Sequence, residues 1–273
     1  MNNKWISCEH LNRQELETII KTESFWGKGR YGWCDFAIDG IDLLLQGIHH
    51  LRNVDNDALD KQGEYKDFTS AIRSIGYYRF YQISLTYKAI YNLIHQGYYT
   101  ESAILLRSIF EDIARMKYLC KKREVSLLET AFAGHYGYKG KKFRIQYETM
   151  FENIAPGSYK YYRMLCDMAH GSFSAHSLKI DRIDHVNKKV FLNDGIVFNP
   201  EKVSFVLNQF CVFLLAHIVF MIRIYPEIEK NMPEECATRY HKILSKLWAV
   251  MKAFSETEQN QKWYSVMKKL VTC

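Results

Sequence analysis

The 273-residue sequence is poor in proline, with four in all, and it contains no C-x-x-C, no H-E-x-x-H, no E-x-x-H and no G-x-S-x-G. So few prolines leave room for long uninterrupted helices, because proline removes a backbone N–H and clashes with the preceding turn. Without C-x-x-C spacing, zinc-finger and dithiol-redox readings lose their ligands. The seven cysteines (Cys8, Cys34, Cys120, Cys166, Cys211, Cys236 and Cys273) are odd in number and scattered, which fits reduced thiols in the cytoplasm. The absent His/Glu spacings remove zincin and di-iron bundle chemistry, and without a nucleophile elbow Ser172 and Ser174 have no support as nucleophiles. The opening MNNKWISCEH has no apolar signal-peptide segment. No metal and no cofactor is expected; an ion shared by His170 and His176 with Glu101 or Glu111 is the weaker reading.

What is present is globular. Hydrophobic residues make up 48% and charged residues 25%, so disorder is excluded, and the aromatic content of 15% includes 19 Tyr and 16 Phe. The net charge of +7 would attract a polyanion, but its clusters are small: Lys121, Lys122 and Arg123, and then Lys139, Lys141, Lys142 and Arg144. Gly27, Gly29 and Gly32 match G-x-G-x-x-G formally, yet no buried strand precedes them, so they read as a loop.

Three- and four-residue spacing of apolar side chains predicts helices over about 12–21, 35–51, 65–96 and 100–121, with Gly97 as a stop and Thr100 as an N-cap. The short break at Gly97 joins the last two as an antiparallel hairpin of helices. Residues 125–160 are less regular, a helix covers about 159–169, and Asn193-Asp194-Gly195 between VFL and IVF reads as a β-hairpin turn. The run from Val203 to Ile224 is long enough to cross a bilayer, but Asn208, Gln209, His217 and Arg223 interrupt it, which suits a central buried helix better. A last helix spans about 234–254. The expected fold is mostly α, a single domain of about seven helices with a small β-hairpin inserted at about 177–198. Its parts are an N-terminal arm (1–29), a core bundle (30–225) and a C-terminal helical extension (226–273).

The stretch YYRMLCDMAHGSFSAH carries the candidate chemistry. At 100° per residue Arg163 and His170 lie about 20° apart on one helix face and roughly 10 Å along it, with Cys166 and Asp167 between them. An imidazole transfers protons near neutral pH, and a guanidinium holds a phosphate and stabilises its transition state. Together they suit metal-free RNA cleavage in which the 2′-hydroxyl is the nucleophile. The bland alternative is a helix end, with His170 complementing the dipole and Gly171 in the left-handed C′ position. A thiolate–imidazolium pair of Cys166 with His170 is a weaker option than a buried inert cysteine. On another helix Arg107 and Glu111 form an i,i+4 pair, off the apolar arc centred on Leu105, Leu106, Ile109 and Ile113.

The R-x6-H spacing resembles the motif of the HEPN superfamily, many of whose members are metal-independent endoribonucleases of toxin–antitoxin and antiviral systems. That resemblance implies Arg163 and His170 as the matched pair, at a site formed where two protomers meet, hence a homodimer. The chain departs from the pattern at Met164, where a polar residue is common. Over roughly residues 60–225 it also resembles a bacterial family of uncharacterised helical proteins with R-x-x-x-E and Y-R-x6-H-G motifs. This second resemblance matches Arg107, Glu111, Tyr162, Arg163, His170 and Gly171 and implies no activity. The reading taken forward is a HEPN-like cytoplasmic endoribonuclease. Arg163 and His170 would be catalytic, Glu111 and Arg107 would orient them, and Tyr162, Asp167, Ser172 and His176 would line the RNA site, with no membrane partner. The alternative is a non-catalytic helical interaction or anion-binding protein.

Overall fold

The most apolar segment of the chain became the axis on which its other helices pack. A computed structural model describes residues 8–27, 33–51, 65–132, 146–169, 180–192, 196, 198–232, 234–254, 265 and 268–269. Among these the helices are α1 Cys8–Gly27, α2 Trp33–His50, α3 Phe68–Gln96, α4 Tyr99–Lys122, α5 Val125–Phe132, α6 Tyr147–Glu152 and α7 Ser158–Ala169. A two-stranded antiparallel hairpin, β1 Ile180–Asp184 and β2 Lys189–Leu192, precedes α8 Pro200–Ile224, α9 Pro226–Asn231 and α10 Glu234–Phe254. The fold is mostly α with a small inserted hairpin.

Helix α8 begins where Asn199 caps the Lys202 N–H at 3.0 Å and Pro200 occupies the first turn, a position that needs no N–H. It is long and apolar enough to cross a membrane, yet 83% of its most apolar window is buried by α2, α3, α4 and their neighbours. Two of its polar residues are paired within the bundle. Gln209 accepts a hydrogen bond from the Tyr161 hydroxyl, His217 joins a buried relay, and Arg223 sits exposed in the last turn. Around it Phe80, Tyr87, Phe110, Phe210 and Phe213 are fully buried, and Phe110 stacks on Phe213 with ring centres 5.1 Å apart. Each such side chain contributes about 1.5–3 kcal/mol through burial.

Helices α3 and α4 form the expected hairpin. Gly97 ends α3 at φ 87°, a left-handed conformation open to glycine, and its N–H bonds the Ile94 carbonyl. Thr100 does not cap α4. The helix starts at Tyr99 behind Tyr98, whose side chain gives no cap and instead donates its hydroxyl to Glu15 of α1. That contact ties α1 to the hairpin, and α1 runs well beyond the 12–21 expected of it.

The β-hairpin turns elsewhere than expected. The reversal falls at residues 185–188, because the Asp184 carboxylate accepts from the backbone N–H groups of Val186 (3.1 Å) and Asn187 (3.0 Å), and Lys188 takes φ 52°. An Asx turn of this kind needs no Asn-Gly pair. Asn193-Asp194-Gly195, the glycine-rich stop at 27–32 beyond Gly27, and the basic cluster at 139–144 lie outside the described residues.

Candidate functional site

Helix α7 is amphipathic and rests on α4. Tyr161, Leu165 and Met168 point inward, Tyr162 is buried at the edge, and Arg163 and Asp167 face solvent. The Arg163 guanidinium is influenced first by hydrogen bonding to the Tyr159 hydroxyl, one turn earlier, and then by the nearby charge of Asp167. Both hold it more firmly protonated than usual. Among the described residues no carboxylate makes a salt bridge with it. A cation that is exposed and not consumed by an ion pair is available to an anionic ligand.

Arg107 and Glu111 meet α7 through Tyr162, not through Arg163. The Tyr162 hydroxyl donates to Glu111 Oε1 at 2.8 Å, and Arg107 Nε approaches the same oxygen at 3.5 Å without hydrogen-bond geometry. Arg107 Nε is buried with no acceptor among the described residues. Burial first, and then hydrogen bonds with Cys166 and Glu111, push the Tyr162 hydroxyl well above its ordinary pKa, so it stays a donor. The two sequence motifs therefore form one cluster, joined by a tyrosine.

Around that cluster lies an aromatic shelf that the sequence did not disclose. Tyr147 of α6 stacks on Tyr162 with ring centres 5.3 Å apart and planes 4° from parallel, and Tyr159 and Phe151 stack on the same ring. Tyr147 is 43% exposed. Its hydroxyl is raised in pKa by burial and by Glu111, against the opposing charges of Arg115 and Arg107. Arg107, Glu111 and Arg115 thus line one face of α4 at i, i+4 and i+8, and that spacing was the readable signal for Arg115. His170, Gly171, Ser172 and His176 lie outside the described residues; His170 is the next residue after Ala169, the last of α7.

A second polar cluster lies at the heart of the bundle, with His217, Tyr87 and Asp112 buried and Arg79 partly exposed at its edge. Tyr87 of α3 and His217 Nδ1 of α8 are 2.7 Å apart, His217 Nε2 is 3.4 Å from Asp112 Oδ2 of α4, and Arg79 of α3 donates to Asp112 Oδ1. Burial opposes ionisation of Asp112, but the His217 hydrogen bond and the Arg79 charge outweigh it and hold the carboxyl below its usual range. With Asp112 ionised, Nε2 donates to it and Nδ1 accepts from Tyr87, so the imidazole, the hydroxyl and the carboxylate are each paired, while Arg79 Nε has no acceptor among the described residues. This relay links three helices through buried hydrogen bonds, as an architectural network does. Among the described residues no three His, Cys, Asp or Glu side chains are grouped as metal ligands would be.

The stretch carrying this α4 face has counterparts elsewhere. Residues 74–153 match the model of a family of unknown function, DUF5677. The DUF5677 match runs from within α3 through α6, so it takes in Arg107, Glu111, Asp112, Arg115 and Tyr147 and stops short of Arg163. No curated protein and no solved structure matches the chain. Neither result bears on the likeness to HEPN ribonucleases.

Proposed function

We propose that the protein is a metal-independent endoribonuclease of HEPN type, acting in toxin or antiviral defence, with Arg163 and His170 as its catalytic pair. The observation that carries the proposal is Arg163 itself: a solvent-facing guanidinium on α7, hydrogen-bonded to Tyr159, near Asp167 but in no salt bridge with a carboxylate among the described residues. Such a group binds a phosphodiester through paired N–H donors and stabilises added charge as the phosphorus becomes five-coordinate. The stacked Tyr147, Tyr159 and Tyr162 beside it offer faces to unstacked bases. In the reaction the 2′-oxygen attacks phosphorus, the bond to the 5′-oxygen breaks, and a 2′,3′-cyclic phosphate forms. His170 takes the 2′-hydroxyl proton or delivers one to the leaving 5′-oxygen. Glu111 and Arg107 act through Tyr162 to fix α7, and so serve as positioning residues.

A second reading, a non-catalytic anion-binding bundle, is favoured by the Tyr162–Glu111 hydrogen bond, which joins α7 to α4 and needs no ligand to account for it. End chemistry separates the two. RNA incubated with the full chain in EDTA should yield fragments ending in 2′,3′-cyclic phosphate, and the same RNA with 2′-deoxynucleotides throughout should remain intact. Cleavage of the all-deoxy strand, or no cleavage of any RNA, would sink the ribonuclease reading.

A further inference from the structure

An open pocket of about 560 Å³ lies where the C-terminal ends of α4 and α8 meet the first turns of α3. Its floor is apolar, made by Phe68 and Ile72 of α3 with Phe220 and Ile224 of α8, none more than 9% exposed. Its rim is cationic: Lys117 and Lys121 of α4, Arg123 at the end of α4, and Arg223 in the last turn of α8. No carboxylate is among the described lining residues. Lys121 reaches Asn153 Oδ1 at 2.9 Å, Lys117 donates to the Lys269 carbonyl, and the Arg123 guanidinium stands 5.4 Å from the centre of the Phe68 ring. Lys121, Arg123 and Arg223 form no salt bridge with any described carboxylate.

Basic residues at helix C-termini complement the dipole, and that explains each cation singly. It does not explain an apolar hollow between two such ends whose described lining holds four cations and no carboxylate, Asp67 lying just outside it near Arg123. We propose that this pocket binds a small organic phosphate carrying a flat apolar body, of mononucleotide size. The phosphate meets guanidinium and ammonium donors at the rim, where a doubly charged oxyanion gains most. The ring covers the Phe68 and Phe220 floor, and the volume falls within the range of ligand pockets, roughly 300–1,000 Å³. Inorganic phosphate would leave the floor wet, and a neutral ring would gain nothing from the positive rim. Cys120 forms part of the wall. Burial pushes its thiol up in pKa against the charges of Arg123 and Arg223, so it is a neutral wall group and no nucleophile.

The pocket is separate from the α7 cluster. Cys120 is nine residues beyond Glu111, which places it on the opposite side of α4 and about 14 Å along the axis. The proposal therefore stands or falls independently of RNA cleavage.

Calorimetric titration of the full chain with AMP, phenyl phosphate, adenosine and inorganic phosphate tests it. At least one of the two organic phosphates should bind about tenfold or more tighter than either adenosine or inorganic phosphate. A Lys121→Gln/Arg223→Gln double variant should lose about tenfold or more of that affinity, Arg223→Lys should keep most of it, and Arg163→Ala should leave it unchanged. Thermal melting accompanies each variant, and if the double variant melts low the four-probe comparison on the wild type decides alone. Organic phosphates that bind no tighter than inorganic phosphate, or a well-folded double variant with wild-type affinity, would overturn it.

Discussion

One hydroxyl, on Tyr162, connects the two motifs that the sequence presents 51 residues apart. Tyr162→Phe keeps the ring stack and removes only the donor to Glu111. Hydrogen bonds to charged groups contribute about 1.5–3 kcal/mol, so with Glu111 17% exposed the variant should lose about 1–2 kcal/mol in urea unfolding. Asp112 gives a sharper test. Its native pKa lies below its ordinary value of 3.8, so the native state favours the carboxylate. The stabilisation is complete above that value and is lost as pH falls through the lower native pKa. Asp112→Asn should lower stability by about 3 kcal/mol at neutral pH, since it removes the buried charge that Arg79 and His217 both meet. It should also lessen the acid-side decline in urea midpoint, while Asp67, Asp184 and Glu227, each also held below its usual pKa, continue to contribute. At this scale sequence periodicity foretold that Arg107 and Glu111 would sit off the apolar arc. It did not foretell the relay, because His217 in an apolar helix and Asp112 beside Glu111 show no spacing that joins them; only the crossing of three helices does. Tyr147 escaped notice for the same reason, since its partner ring belongs to another helix.

Among the elements, α8 was legible in full: an all-round apolar run bounded by Asn199-Pro200 and Pro226 admits little but a buried helix. The hairpin was legible as an element but not in its turn, because the Asp184 side chain supplied the reversal that glycine was expected to supply. The cap of α4 lies at Tyr98, two residues before the expected Thr100, and makes no side-chain capping bond. Close approach of α2 to α8 makes a further prediction. A Cβ added at Gly40 would stand 2.6 Å from Leu214 Cδ2 and 3.2 Å from its Cγ, inside a packed core. Gly40→Ala should therefore destabilise the protein by about 1–3 kcal/mol by chemical denaturation, overriding the helix propensity that alanine adds. A more stable variant would mean that the α2–α8 contact is looser than described.

Across the whole molecule, α4 divides the functional surfaces. One face carries Arg107, Glu111 and Arg115 toward α6 and α7, and the C-terminal end carries Lys117 and Lys121 toward the α3–α8 pocket. If two chains share a ribonuclease site, sedimentation should show a dimer, and Arg163→Glu at its seam should shift it toward monomer. The mostly helical architecture was readable from composition and periodicity, whereas the geometry around Arg163 depended on how α7 is rotated on α4. The most direct test of the central claim is RNA cleavage in EDTA by wild type, Arg163→Ala, His170→Ala and Tyr162→Phe, each with its melting temperature. The account predicts cleavage by wild type, loss of at least about a hundredfold in rate in the two alanine variants without unfolding, and a smaller loss in Tyr162→Phe. Wild-type activity that persists in a folded Arg163→Ala variant would contradict it.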